Sequence, residues 1–110
     1  SGLSRKNLIT PRALRTLLVH MDAHAARDAF LASLPRGGER NTTLRGRLAQ
    51  TEVQAKTGSL SFVRALSGYV TQADGTRMAF VLFANNYTGP SYQVTRTMDT
   101  IVRLLGARPS

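Results

Sequence analysis

Apolar residues recur along this chain with two different periods, and the change of period marks where helices should give way to strands. Leu14, Leu17, Leu18 and Met21 return every three or four positions, the spacing that gathers side chains on one face of a helix. Thr10-Pro11 opens that segment, with a hydroxyl suited to the N-cap and a Pro at the first helical position, where a missing N–H costs nothing. A second helix is expected from about Ala23 to Leu34, with Ala26, Phe30 and Leu34 on one face and a stop before Pro35. Arg36-Gly37-Gly38-Glu39-Arg40-Asn41 reads as loop. Thr42 to Gln50 has room for a short helical turn, weakened by Gly46.

From Glu52 the period shortens. Glu52 to Lys56 alternates polar and small apolar residues, as a half-exposed strand does, and Phe62 to Thr71 reads as a second strand. The Asp74-Gly75 pair within Gln72–Thr76 admits positive φ, so the next strand should return antiparallel as a hairpin. Met78 to Ala84 is a continuous apolar run, the pattern of a strand covered on both faces, and Asn85-Asn86 ends it. Ser91 to Leu105 closes as a helix carrying Val94, Met98, Ile101, Val102 and Leu105 at helical spacing, with Gly106 placed as its C′ stop. The expected fold is α+β: two N-terminal helices, an antiparallel three-stranded meander and a C-terminal helix packed on the sheet.

Composition narrows the function classes. A chain of 110 residues is one domain's worth, and 42% hydrophobic content suits a folded core. No apolar run reaches the roughly 20 residues of a membrane span, and Ser1-Gly2-Leu3-Ser4-Arg5-Lys6 has neither an initiating Met nor a hydrophobic leader core, so no targeting segment is expected here. Without Cys there is no disulfide scaffold, no Cys-based zinc site and no thiol nucleophile. The net charge of +9 would suit a nucleic-acid binder, but the basic residues are spread from Arg5 to Arg108 and lack interleaved aromatics, so no nucleic-acid partner is expected.

Candidate chemistry is sparse. His20 and His24 stand four apart, the spacing of a two-His metal clamp, yet no Glu follows His20 and no third ligand is implied; an exposed or capping role is expected, and no metal site. The six carboxylates are scattered, which disfavours paired acid/base work, and no phosphate-binding Gly-x-x-x-x-Gly-Lys occurs. Lys56-Thr57-Gly58-Ser59 remains. Lys56 is one of only two Lys in an Arg-dominated chain, and a compact ammonium on a strand is a point source of positive charge. Thr57 and Ser59, two apart, offer hydroxyls from one face to a carboxylate, and Gly58 lets another chain approach the strand backbone.

That tetrapeptide sits among further motifs: Ser1-Gly2-Leu3-Ser4-Arg5-x-Asn7-x-x-Thr10-Pro11, Leu34-Pro35-x-Gly37-Gly38, Thr43-Leu44-x-x-Arg47, Ala55-Lys56-Thr57-Gly58-Ser59-Leu60 and Leu66-Ser67-Gly68-Tyr69-Val70. Their order and spacing resemble the C-terminal part of the D-alanyl-D-alanine carboxypeptidase/endopeptidase family of low-molecular-mass class C penicillin-binding proteins, over nearly the whole chain. The resemblance implies a serine peptidase of β-lactamase-like fold that acts on peptidoglycan stem peptides ending in D-Ala-D-Ala, is acylated by β-lactams and needs no cofactor. Such enzymes use Ser-x-x-Lys, Ser-x-Asn and Lys-Thr-Gly, and this sequence contains only the third.

Residues 1–110 are therefore expected to be the C-terminal portion of a DD-peptidase domain whose nucleophile lies in a missing N-terminal part. By resemblance, catalytic Lys56 polarises the site, Thr57, Gly58 and Ser59 bind the substrate, and the Ser59 N–H is one oxyanion donor. Ser1, Ser4 and Arg5 receive no chemistry. The parent is expected outside the cytoplasm, in periplasm or cell wall, and the fragment is expected to be inactive alone and prone to self-association. A non-catalytic basic module for nucleic acid or anionic wall polymer is the alternative.

Overall fold

The computed structural model describes residues 10–60, 63–85 and 87–107. Six elements follow in order: α1 (Pro11–Asp22), α2 (Arg27–Ala32), β1 (Val53–Leu60), β2 (Val63–Thr71), β3 (Arg77–Asn85) and α3 (Ser91–Ala107). The start of α1 is as expected, with the Ala13 N–H donating to Thr10 Oγ1 at 3.0 Å and Pro11 in the first turn. The second helix is shorter than the predicted Ala23–Leu34, because residues 23–26 form turns that redirect the chain. His24 takes part there: its Nδ1 accepts the Ala26 N–H at 2.9 Å. That bond is local to the turn before α2, whose N-cap is Ala26, and it commits one ring nitrogen of the pair.

The strands form one antiparallel sheet in the order β1-β2-β3. Between β2 and β3 the Gln72 N–H donates to Thr76 O at 2.8 Å, and Gly75 takes φ +89. Three residues, Ala73 to Gly75, thus make the turn, with Gly in the left-handed position that such a loop requires. The predicted start of β2 at Phe62 lies outside the described residues.

Helices cover both faces of the sheet. On one, α3 contributes Met98 and Val102 to a core with Val53, Ala55, Leu66, Val70 and Phe80. On the other, Leu18 of α1 and Leu31 of α2 pack on Tyr69, with Ala79 and Val81 of β3 alongside. The apolar run in β3 was expected to be covered on both faces; instead it resolves into two faces, each half-covered, with only Phe80 buried.

Two expectations need correction. Thr42–Gln50 contains no helix; it is a run of turns that buries Leu44 and Leu48 in the α3-side core, with Leu48 held at φ +57. Gly46, at φ +70, suits turns and not a helix. Gly106 is not a C′ stop either, since α3 continues to Ala107. A Cβ on Gly106 would come within 3.0 Å of Val70 Cγ2, so its lack of a side chain serves close approach of helix to sheet.

Candidate functional site

Lys56-Thr57-Gly58-Ser59 stands in the second half of β1, at the outer edge of the sheet. Lys56 and Ser59 are exposed, Thr57 is half-buried and Gly58 is buried. Alternation along the strand puts Lys56 and Gly58 toward α1 and α2, and Thr57 and Ser59 on the α3 side, with Thr57 opposite Leu66 and Lys56 opposite Ser67. The two hydroxyl residues thus share a face as expected, while the ammonium stems from the other. Lys56 Nζ reaches back over the edge and donates to the Thr57 carbonyl at 2.5 Å.

What exposes this edge is the stretch Pro35–Gly37, which runs beside the first half of β1. The Gly37 N–H donates to Val53 O at 3.0 Å, the Ala55 N–H donates to Pro35 O at 2.9 Å, and Arg36 bridges Gln54 in antiparallel sense. A hydrogen-bonded antiparallel pair normally exchanges two bonds. Pro35 has no N–H to return to Ala55, so the strip ends there. The odd-numbered residues of β1 point their backbone groups outward, so beyond the strip Thr57 and Ser59 face that same edge. An apolar groove of about 280 Å³ adjoins it, lined by Leu14, Leu17, Leu34, Lys56, Gly58 and Ser67 among others.

Three interactions that sequence reasoning missed hold this arrangement. Gln54 Nε2 donates to Leu31 O at 2.8 Å and ties β1 to α2. The buried Tyr69 hydroxyl donates to Leu18 O at 2.6 Å and ties β2 to α1; burial, with Asp22 nearby, pushes the Tyr69 phenol above its ordinary 10.0. Arg47 grips Asp99 of α3 with a fork, Nε to Oδ2 at 2.9 Å and Nη2 to Oδ1 at 2.7 Å. The only signal for the last was Arg47's place in a motif; nothing pointed to Asp99. Ser1, Ser4 and Arg5 lie outside the described residues.

The sequence model of the D-Ala-D-Ala carboxypeptidase 3 (S13) family matches residues 1–107. The chain belongs to that family. A D-alanyl-D-alanine carboxypeptidase of Actinomadura sp. (strain R39) is 38% identical over 99 residues, covering 83% of this chain and 18% of the relative. The carboxypeptidase DacB of Haemophilus influenzae is 37% identical over 93 residues, covering 80% and 19%. Penicillin binding protein 4 (dacB) from the same organism, in a crystal structure complexed with a novel β-lactam, superposes with a TM-score of 0.82 at 29% identity. That match covers 98% of this chain and 27% of the other. The chain thus spans about a fifth of the length of the curated relatives it matches. The α+β arrangement expected from the sequence is the one found, as part of the penicillin-binding fold. No helix among the described residues is long and apolar enough to cross a membrane.

Proposed function

We propose that this chain is the C-terminal part of a serine-type D-Ala-D-Ala carboxypeptidase/endopeptidase domain, and that β1 is the strand along which the substrate peptide lies. The observation that carries the reading is the position of Lys56-Thr57-Gly58-Ser59 on the sheet edge, just past the point where the Pro35 strip ends.

A peptide laid against that edge as an added strand meets outward backbone groups of Thr57 and Ser59, while Gly58 brings no side chain to obstruct it. Thr57 and Ser59 hydroxyls hold the terminal carboxylate. The nucleophilic Ser comes from the preceding part of the domain. Its oxygen bonds to the carbonyl carbon, the C–N bond of the terminal D-Ala breaks, and the proton from the Ser passes to the departing amine. Charge developing on the carbonyl oxygen is met by the Ser59 N–H and by an N–H at the nucleophile, the kind of preorganised donor pair worth several kcal/mol. Lys56 adds a positive charge beside that proton path. A β-lactam follows the same course with its ring C–N bond. The partners are therefore stem peptides ending in D-Ala-D-Ala, β-lactams and the rest of the domain. The working place of the full-length enzyme is outside the cytoplasm.

The test is Lys56→Ala in the full-length enzyme. Acylation by a β-lactam should slow by roughly a hundredfold or more, since each 1.36 kcal/mol is about tenfold in rate. Melting should stay near the parental value because Lys56 is exposed. Lys56→Arg should recover part of the rate, returning the charge without the point geometry. Parental acylation by Lys56→Ala would remove β1 from the active site.

A further inference from the structure

The edge at Thr57 depends on where the Pro35 strip stops, and the strip is held in place from the far side of the sheet. Gly38, next to it, donates its N–H to the Arg47 carbonyl at 2.7 Å. Arg47's guanidinium in turn forks onto Asp99 of α3, 52 positions along the chain, with the two side chains only 23% and 10% exposed. A short covalent and hydrogen-bonded path therefore runs from α3 through Asp99, Arg47, Gly38 and Gly37 to Val53 and Ala55, and Lys56 is the next residue.

The loop has other anchors, Leu44 and Leu48, both buried in the core. Apolar contacts, however, are non-directional and tolerate sliding and rotation. A bidentate Arg–carboxylate fork sets distance and orientation together. The loop needs such a restraint, because Leu48 sits at φ +57, a conformation that persists in a non-glycine residue only when its surroundings over-determine it. Clearance beside it is minimal: a Cβ on Gly37 would lie 2.3 Å from Leu48 O.

We propose that Arg47 and Asp99 are a positioning pair for the reaction: their fork fixes the loop that places the Pro35–Gly37 strip, and so sets the height of the Lys56–Ser59 edge relative to the nucleophile. This rests on the reading of β1 as the substrate strand. Neither residue touches the reacting atoms.

The experiment compares three variants of the full-length enzyme: Arg47→Lys, the double Arg47→Met/Asp99→Leu, and Lys56→Ala as reference. Each is followed by the acylation rate with a fluorescent penicillin, by thermal melting, and by amide exchange in peptides covering 35–38 and 53–57. Replacing a buried ion pair by apolar residues of similar size commonly leaves stability unchanged, so the double variant should melt near the parental temperature. Its acylation should nonetheless fall roughly tenfold to a hundredfold, as small misplacements of positioning groups do, with faster exchange confined to those two peptides. Arg47→Lys keeps Asp99 paired while losing the fork, and should show a smaller loss of the same kind; it decides the matter if the double variant does not fold. Parental rates in folded variants overturn the proposal, as does a loss that only follows the unfolded fraction. If Lys56→Ala acylates normally, the substrate-strand reading falls and takes the positioning role with it; if Lys56→Ala is impaired and the clamp variants are not, only the positioning role falls.

Discussion

Tyr69 shows how one side chain joins layers that the sequence keeps far apart. Its ring is buried to 2% exposure beside Phe30, and its hydroxyl is spent on the Leu18 carbonyl. Tyr69→Phe removes that bond while the carbonyl keeps its place in the α1 hydrogen-bond ladder, and should cost about 0.5–1.5 kcal/mol in urea unfolding. The phenol also carries a pH signature. Its folded-state pKa lies above the ordinary 10.0, so as pH rises past 10.0 the unfolded chain loses the proton first. Stability from this source is complete below pH 10.0 and declines above it, and Tyr69→Phe should flatten that alkaline limb. Asp74 behaves in the opposite sense, since the hydrogen bonds from Thr76 hold its carboxyl below 3.8. What it adds is present above that value and fades as pH falls below it. Asp74's turn role was legible because it depends on neighbours one and two positions away. Tyr69's was not, because its partner lies 51 positions earlier on a helix.

At the scale of elements, the β1–β2 pairing is the part on which the candidate site stands. Gly68 lies opposite Ala55, and a Cβ there would come within 2.1 Å of Gln54 O and 2.6 Å of Ala55 Cα. Backbone on the facing strand cannot yield as the tip of a side chain can. Gly68→Ala should therefore destabilise by more than about 2 kcal/mol and, in the full-length enzyme, lower acylation by displacing β1; denaturant melts together with acylation rates check both. Strands, hairpin and the starts of α1 and α3 were legible from period and capping, whereas the start of α2 was not. The 36–51 segment was not, because glycines and polar residues mark a loop but do not say that Leu44 and Leu48 turn inward or that Pro35 runs beside a strand.

For the whole molecule, the sheet's outer strand β3 has no strand neighbour on its far side among the described residues, and Leu17, Val19, Tyr92, Ile101 and Leu104 are exposed. Edges and apolar side chains of this kind seek partners. The isolated chain should associate with itself in a concentration-dependent way, and sedimentation showing a monomer across concentrations would count against it. The isolated chain should also form no acyl adduct with penicillin, because it contains no Ser-x-x-Lys. Mass spectrometry after incubation reads that directly. The +9 charge is dispersed over the chain, and Arg47 and Arg77 are paired with Asp99 and Asp22.

The sequence by itself determined the order and type of the elements, the meander, and the strand bearing Lys56-Thr57-Gly58-Ser59, since these follow from local periodicity, capping and turn chemistry. Only the tertiary structure decided which helices cover which face of the sheet, that the Pro35 strip stops at Ala55, and that Arg47 meets Asp99. Those outcomes are contacts between residues up to 52 positions apart, set by how the layers pack, and no local pattern carries them.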